Sequence, residues 1–454
     1  MTRIYPQFIV AKFGGTSVAD YDAMHRSANI VLADTQIRLV VLSASAGVTN
    51  LLVELAEGLQ SHLQSDKIET LRAIQYKIIS RLKQPAVIGA EIDNLLDNIR
   101  QLAQKAAVAP SAALSDELVS HGELMSTLLF AEVLRERDEA EVSWFDARSV
   151  MRTNASYGCA EPNVDLLAEL AEVHLRPRLE QAVIITQGFI GRCPDGHTTT
   201  LGRGGSDYTA SLLGEALHAS RVDIWTDVAG IYTTDPRIAP KAQRIDSISF
   251  SEASDMAAYG AKVLHPATLL PAMRKNIPVF VGSSKDTAAG GTLVCNTTEN
   301  PPRYRAVAVR RKQTLLRLHS LDSQPCYRFL AQVFEILAQH AVAMDLVTTS
   351  ESSIALVLDS THATSGEDPT LTTALFTTLS SHCRVEVETG LALITLVGNQ
   401  LTQAVGVCND VFARFEANAV RMICHGASTN NLCFLLPGEV ADNAVQTLHQ
   451  RLFE

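Results

Sequence analysis

Apolar residues in the first two thirds of the chain fall into short runs, several of them apolar at consecutive positions. Such runs are typical of strands covered on both faces, as in parallel sheets. The predicted strands are residues 8–13 (FIVAKF), 37–44 (IRLVVLSA), 141–145 (EVSWF), 182–190 (AVIITQGFI), 221–226 (RVDIWT) and 277–282 (IPVFVG). Amphipathic stretches between them, such as 116–137, predict helices. Alternating strands and helices predict a layered α/β domain around a largely parallel sheet.

A polar stretch with two prolines, residues 296–305 (NTTENPPRYR), ends this pattern and has the composition of a linker. Beyond it the sequence repeats, because residues 333–358 align without a gap to residues 411–436. Each copy predicts a strand, a helix and two further strands around a tight turn. A helix (about 369–381) and a strand (384–389) then complete the first copy as a βαββαβ, ferredoxin-like module.

The second copy ends in a helix, and no sixth strand follows it. Residues 305–311 (RAVAVRR), just before the first copy, form a predicted strand with no partner in this count. We therefore predict that residues 305–311 close the second module and that the first module is inserted in it. The alternative is that 305–311 is only linker.

Composition and charge argue against several classes of protein. The chain has 454 residues, 46% hydrophobic and 19% charged, which is ordinary for a globular protein of two or three domains. Its net charge of −11 argues against nonspecific nucleic-acid binding. We see no signal peptide and no apolar run of the roughly 18 residues that a membrane helix needs, so a cytoplasmic protein is expected. The eight cysteines form no C-x-x-C pair, which argues against zinc sites and disulfides.

Two predicted strands end in loops that suit an anion. Lys12 stands near the end of the first strand, and Gly14 and Gly15 follow it. Glycines let backbone N–H groups approach a phosphate, and the lysine adds a full charge. The loop after 37–44 carries Thr49 as a hydroxyl donor. A lysine beside an ordinary turn, and a helix N-cap at Thr49, are the plainer interpretations.

Two further loops carry polar residues at element ends. In residues 198–210 (TTTLGRGGSDYTA), glycines flank Arg203, and Ser206 and Asp207 begin the next helix. Arginine can grip a carboxylate with two parallel hydrogen bonds. Thr226 and Asp227 end the strand 221–226, which is where α/β sheets place ligands. A mobile hairpin and a solvated turn are the respective alternatives.

Two charged residues lie in apolar helical patterns. Lys262 enters the helix of residues 259–272, and Glu123 lies in the sequence SHGELMS beside a histidine. A snorkelling lysine is one interpretation of the first. Because burying an unpaired carboxylate is costly, Glu123 is expected to meet a cation, and a substrate ammonium group would serve.

Taken together, the stretches KFGGTSVAD, SHGELMST, TTTLGRGGSDYTA, WTDVAGIYTTDPR and GAKVLHPAT resemble the motifs of the aspartokinase family, in the same order, and the lysine-sensitive monofunctional branch most. The resemblance implies an amino acid kinase fold, a three-layer α/β/α domain with a mostly parallel sheet, over residues 1–300. Two ferredoxin-like ACT domains follow, the first (313–389) inserted in the second (303–312 plus 390–454). It also implies transfer of the ATP γ-phosphoryl to the β-carboxylate of L-aspartate, the first step towards lysine, threonine and methionine.

The resemblance also implies roles for single residues. Lys12, Gly14, Gly15 and Asp207 would be catalytic, and the amino acid would be held by Thr49, Glu123, Arg203 and Ser206. ATP would contact Lys12, Thr226, Asp227, Tyr232, Arg237 and Lys262, with Mg²⁺ carried by phosphates and waters. L-lysine would inhibit at the first ACT domain, near Ser323, Cys326, Phe329, Leu330, Asp345, Thr349, Ser350 and Glu351. Ser323 and Cys326 replace a methionine and a serine of the relatives, and Pro325 stiffens that loop.

The family implies a homodimer formed through the ACT domains, with a tetramer as the alternative, and no nucleic-acid or membrane partner. Two other functions stay open. One is another amino-acid kinase, such as one acting on glutamate, against which the GELMST helix and the paired modules argue. The other is a catalytically silent amino-acid sensor, against which the retention of Lys12, Arg203, Asp207 and Lys262 argues.

Overall fold

The computed structural model describes residues 7–260, 264–321, 325–340, 342–358, 371–413 and 419–454. They form two compact units. The first unit comprises residues up to 231, 244–257 and 262–299, and the second comprises residues 232–243, 258–261 and 300–454. Within the described ranges, no helix is both long enough and apolar enough to cross a membrane.

Among the described residues, the first unit contains ten strands and ten α-helices. The strands are β1 (Ile9–Phe13), β2 (Ile37–Leu42), β3 (Val142–Phe145), β4 (Val183–Gln187), β5 (Ile190–Arg192), β6 (Thr198–Thr200), β7 (Arg221–Thr226), β8 (Ser247–Ser249), β9 (Val279–Ser283) and β10 (Gly291–Cys295). The helices are α1 (Tyr21–Ala33), α2 (Val48–Ala56), α3 (Ser61–Ile79), α4 (Pro85–Val108), α5 (Ala112–Arg135), α6 (Val164–His174), α7 (Arg176–Leu179), α8 (Gly205–Leu217), α9 (Phe250–Ala258) and α10 (Pro266–Arg274). A 3-10 turn, Gly15–Val18, follows β1 directly.

Eight of these strands form one sheet in the order β3-β4-β2-β1-β7-β9-β10-β8. Neighbours from β3 to β9 are parallel, and β10 runs antiparallel to β9. In the centre of the sheet Lys12 pairs with Val41 of β2 and Ile224 of β7. The carboxyl ends of the six parallel strands therefore share one edge, where open α/β sheets bind ligands.

The structure confirms the six strands predicted for this unit, with boundaries that differ by up to three residues. The single strand predicted for residues 182–190 is two strands in the structure, because β4 ends at Gln187 and a separate strand, β5, starts at Ile190. The backbone turns between them, where Phe189 has a φ of 70°. The apolar pattern continues through this turn because Phe189 packs against the core cluster on the sheet.

The second unit has a six-stranded antiparallel sheet in the order β12-β13-β11-β14-β16-β15. Its strands are β11 (Tyr304–Ser320), β12 (Met344–Thr349), β13 (Ser353–Leu358), β14 (Cys383–Gly398), β15 (Met422–His425) and β16 (Asn431–Pro437). Its helices are α11 (Cys326–Gln339), α12 (Thr373–Ser380), α13 (Val407–Phe412) and α14 (Ala441–Phe453).

The long strands β11 and β14 run through both modules. The first half of β11 pairs with the second half of β14, as in Val307 opposite Leu396, and the other halves also pair with each other. Each strand is irregular near its middle, where Lys312 and Gly390 have positive φ angles of 58° and 73°. Separate apolar cores lie on the two halves. From this register we infer the division into an inserted module, 313–389, and a second module, 303–312 plus 390–454.

Residues 232–243 differ from the expectation, because they belong to the second unit and not to a catalytic domain spanning 1–300. The Val307 N–H donates a hydrogen bond to the Thr233 carbonyl at 2.7 Å. The Thr233 Oγ1 also lies 2.9 Å from Nε2 of His449 on α14, and Ile238 packs against the apolar core of the second module. These contacts link residues far apart in sequence, so the local pattern did not predict them.

Candidate active site

Lys12, which is buried, and Asp207, which is partly buried, form an ion pair at the carboxyl edge of the large sheet. The Lys12 Nζ lies 2.6 Å from Asp207 Oδ1, and Lys12 is 8% exposed. Asp207 stands in the first turn of α8, which begins after Gly204 with a left-handed φ of 72°. The pair thus links the central strand β1 to α8, the helix that carries Ser206.

The glycines after β1 have different environments. The Gly14 N–H donates to the Trp225 carbonyl at 3.0 Å, so this amide is engaged with β7 and is not a free donor for a phosphate. A Cβ on Gly15 would lie 2.8 Å from the Ala44 carbonyl oxygen, so no other residue fits there without movement. Gly15 therefore allows the loops after β1 and β2 to approach each other.

A hydroxyl pair that sequence reasoning missed joins the 3-10 turn after β1 to the residue that follows β9. The Ser17 and Ser284 hydroxyls lie 2.7 Å apart, and both residues are buried. The Ser284 N–H and hydroxyl both donate to the Thr226 carbonyl. These bonds fix the ends of β1, β7 and β9 relative to one another. A serine after a strand is too common a feature for the sequence to have singled it out.

Glu123 is the most perturbed acid of the site. It is 3% exposed on α5, and its Oε1 accepts a hydrogen bond from the Ala44 N–H at 3.0 Å. Its Oε2 is buried without a hydrogen-bond partner in the described part of the chain. Burial raises the pKa of Glu123 to about 8, against the lowering effects of the Ala44 N–H and of the nearby Lys12 charge. The site therefore holds a carboxyl oxygen without a donor.

Close packing explains how α5 brings Glu123 to the loop after β2. A Cβ on Gly122 would lie 2.7 Å from the Ala44 Cβ, so only glycine allows this approach. The Ser126 hydroxyl, one turn later, donates to the Ser43 carbonyl at 2.8 Å. In the GELMS sequence, Gly122 therefore allows close packing, Glu123 is the buried acid, and Ser126 binds the loop after β2.

Ser206 lies against Gly188, a residue that sequence reasoning did not single out. A Cβ on Gly188 would lie 2.6 Å from the Ser206 Cβ, and the Gly188 N–H donates to the Leu42 carbonyl. The first turn of α8 therefore packs directly on the ends of β2 and β4. The glycine between the strand 183–187 and Phe189 was the available signal.

Arg203 and Thr49, the remaining predicted substrate residues, are more exposed to solvent than Glu123. Arg203 is exposed in the turn between β6 and α8, and no ion pair of it occurs in the described part of the chain. Thr49 is half-buried in the first turn of α2, which begins after Gly47 with a φ of 85°. Both side chains are thus available to a ligand.

The predicted nucleotide residues divide between the two units. Thr226 and Asp227 lie at the carboxyl end of β7, where the Thr226 hydroxyl donates to the Asp227 carboxylate at 3.3 Å. Tyr232 and Arg237 belong to the second unit, and Arg237 forms an exposed ion pair with Asp235. Lys262 lies outside the described residues, as does Ser323 of the predicted lysine site.

Comparison with known proteins decides the family. The amino acid kinase family matches residues 7–283, and an ACT domain matches residues 394–452. Lysine-sensitive aspartokinase 3 of Escherichia coli (strain K12) is 63% identical, covering 99% of this chain and 100% of the relative.

The chain belongs to the aspartokinase family.

Other matches agree. The aspartokinase of Chlamydia pneumoniae is 34% identical, with 97% of each chain covered. The crystal structure of E. coli aspartokinase III in complex with aspartate and ADP (R-state) gives a TM-score of 0.93 at 63% identity, covering 99% of this chain and 100% of that one. The complex of the same protein with lysine and aspartate (T-state) gives 0.83 with the same coverage.

Several residues that the aspartokinase resemblance assigns to lysine lie together in the first module. The Cys326 thiol, at the start of α11, donates to the Ser350 carbonyl at 3.2 Å. Thr349, Ser350 and Glu351 are exposed at the end of β12 and in the turn after it. Polar groups at a helix start and a carboxylate in an adjacent turn are suitable for a charged amino acid.

Three other predicted lysine contacts have different positions. Phe329 is 1% exposed and lies in the core of the module, with Leu330 packed against it. Asp345 lies near the start of β12, about 13 Å along the strand from Thr349 at the usual rise per residue. Its carboxylate pairs with Arg310 of β11. The described residues of one chain therefore do not bring Asp345 to the Glu351 turn.

Within the described ranges, no group of three or more His, Cys, Asp or Glu side chains is arranged to hold a metal ion.

Proposed function

We propose that this chain is an aspartate kinase that transfers the γ-phosphoryl group of ATP to the β-carboxylate of L-aspartate, giving 4-phospho-L-aspartate. The single observation that carries the proposal is the buried Glu123 carboxyl with an unpartnered Oε2, beside the Lys12–Asp207 ion pair. The family membership supports the same conclusion.

The reaction needs little acid–base chemistry. An aspartate side chain, whose carboxyl group has an ordinary pKa of about 3.9, is already ionised at neutral pH, so no general base is required. Catalysis then rests on positioning and on the stabilisation of charge at the transferring phosphoryl group. Lys12 is the buried cation at the edge of the sheet, and Asp207 fixes the position of its ammonium group. We assign Lys12 to the phosphoryl oxygens, with Gly15 as the close-packed turn beside it.

Glu123 explains selectivity for an amino acid. Its unpartnered oxygen would accept a hydrogen bond from the α-ammonium group of aspartate, which also supplies the missing positive charge. Arg203 would pair with a substrate carboxylate, and Thr49 and Ser206 would add hydroxyl donors. Binding of the ammonium group favours the ionised form of Glu123, because an opposite charge lowers the pKa of a buried acid.

Thr226 and Asp227, at the end of β7, would contact the nucleotide, and Tyr232, Arg237 and Lys262 are assigned to it from the resemblance alone. Mg²⁺ would neutralise part of the phosphate charge when bound. The ADP complex of the E. coli relative supports the use of a nucleotide.

We also propose that L-lysine inhibits the enzyme at the first ACT module, near Cys326, Ser350 and Glu351. The E. coli relative has been crystallised with lysine, which supports this assignment. From the resemblance we further propose a cytoplasmic homodimer formed through the ACT modules.

A hydroxamate assay with ATP, Mg²⁺ and candidate amino acids tests the function. We expect hydroxamate formation with aspartate and much less with glutamate. A preference for glutamate would identify a different amino-acid kinase, and no product with either would favour the silent sensor. Glu123→Gln is the diagnostic variant, because it retains the acceptor for the Ala44 N–H but cannot carry the charge.

A further inference from the structure

A second buried carboxylate, Asp116, lies on the same helix as Glu123 and about two helical turns before it. It is 3% exposed, and none of the predicted roles uses it. Its partners are all neutral donors. The Gly158 N–H lies 3.1 Å from Oδ1 and 3.0 Å from Oδ2, the Thr200 N–H donates to Oδ2 at 2.8 Å, and the Thr200 hydroxyl donates to Oδ1 at 2.9 Å.

Every group around this carboxylate donates a hydrogen bond, which fits the ionised form. No lysine or arginine pairs with Asp116 among the described residues. Burial raises the pKa of Asp116, and the hydrogen bonds from Gly158 and Thr200 lower it. Burying a charged carboxylate without a cation costs free energy. The segments that Asp116 binds therefore indicate what the residue is needed for.

Both partners of Asp116 adjoin the arginine turn, residues 201–204, which carries Arg203. Thr200 is the last residue of β6 and precedes Arg203 by three residues. Gly202, the neighbour of Arg203, has a φ of 74°, and a Cβ there would lie 3.1 Å from the Gly158 carbonyl oxygen. The arginine turn thus packs against Gly158, whose own N–H binds Asp116. One carboxylate fixes both the strand that leads into the turn and the loop that supports it.

We infer that Asp116 is a positioning residue that holds the Arg203 turn in place for the carboxylate of the amino-acid substrate. This inference rests on the proposed function. Asp116 does not touch substrate, and its effect is transmitted through the Thr200 and Gly158 backbones. Helix α5 would then serve the substrate twice, directly through Glu123 and indirectly through Asp116.

Saturation kinetics of the full chain with Asp116→Asn test the inference. The asparagine side chain has one acceptor oxygen and one NH₂ group. It therefore cannot accept all the hydrogen bonds that Gly158 and Thr200 donate to the two carboxylate oxygens. We expect the KM for aspartate to rise about tenfold, from the loss of hydrogen bonds to a charged group, and the KM for ATP to change less than about twofold. Asp223→Asn is the control, because Asp223 is a buried carboxylate of β7 held by Arg221 and is not part of the site. It should leave the KM for aspartate unchanged.

A double-mutant cycle separates positioning from general destabilisation. In an Arg203→Ala background, Asp116→Asn should produce little further rise in the KM for aspartate. An equal multiplicative effect with and without Arg203, or equal effects on both substrates, would overturn the inference. Inactivity of the unmodified protein toward aspartate would overturn the proposed function, and this inference with it.

The milder variant Thr200→Val covers the case in which Asp116→Asn does not fold. It removes the hydroxyl donor to Oδ1 but retains the backbone N–H to Oδ2. We expect a smaller rise in the same KM, again dependent on Arg203. No change in a folded Thr200→Val protein would count against Asp116 as the positioning group.

Discussion

Glu123→Gln should separate the cost of a buried carboxylate from its benefit in substrate binding. Burial raises the pKa of Glu123 from 4.5 to about 8 in the substrate-free protein. At about 1.4 kcal/mol per pKa unit, raising the pH through the interval between these two pKa values lowers the free energy of unfolding by about 5 kcal/mol in total. About 3 kcal/mol of this loss is already present at pH 7. Glutamine occupies a similar volume, and its carbonyl oxygen can accept the Ala44 N–H hydrogen bond without a titratable group.

The direction of the pH effect follows from the raised pKa. The folded protein retains this proton up to about pH 8, whereas the unfolded chain loses it near pH 4.5. Raising the pH through this interval therefore favours the unfolded chain, and the contribution to stability is lost as the pH reaches the folded pKa. The melting temperature of Glu123→Gln should exceed that of the unmodified protein by several degrees at pH 8, and by much less at pH 5.

Thermal melting between pH 5 and pH 8, without and with aspartate, measures this effect. Aspartate should raise the melting temperature of the unmodified protein more than that of Glu123→Gln. The variant should also have a KM for aspartate about 10- to 100-fold higher, from the loss of a charged hydrogen bond. Glu215→Gln is a matched control, because Glu215 is a buried acid with a raised pKa that pairs with Arg274. It should leave the KM unchanged.

A melting difference that does not depend on pH would show that Glu123 is not the titrating group. An unchanged KM in Glu123→Gln would remove Glu123 from the ammonium site. Either result would refute the reasoning that links its unpartnered oxygen to the substrate.

Three other predictions concern catalysis, packing and regulation. Lys12→Ala should lower kcat by roughly 10²- to 10³-fold, because it removes a cation from the transferring phosphoryl group, and intact hydroxamate production would refute that role. Gly188→Ala should reduce activity, because its Cβ would lie 2.6 Å from the Ser206 Cβ. Gly89→Ala, on α4 with 3.7 Å to its nearest atom, should retain both activity and melting temperature. Glu351→Ala should weaken inhibition by lysine, and an unchanged inhibition curve would exclude Glu351 from the effector site.

Local pattern was enough to predict the six parallel strands of the large sheet, but not β8 and β10. The buried strands β1 and β2 are apolar at all but one position each, and such runs have few structural alternatives when helical segments separate them. The inserted module was predicted from a missing strand in a repeat, and from the pairing of Val307 with Leu396 we infer the same division.

The site could be predicted only as a set of residue types at strand ends. Lys12, Glu123, Arg203 and Asp207 stood out because charges in apolar or glycine-rich surroundings need a partner. Gly188 and Asp116 did not stand out, since a glycine beside a strand and an acid on a helix are common. Their importance comes from what they touch, which the spacing along the chain does not specify.

The sequence by itself determined which segments become strands and helices, because hydrophobic periodicity and glycine positions act over a few residues. Tertiary structure alone decided that Lys12 pairs with Asp207, that Glu123 retains an unpartnered oxygen and that residues 232–243 join the second unit. The physical reason is range. Burial, pKa shifts and ion pairs depend on distances between side chains that are far apart in sequence, and only the packed fold sets those distances.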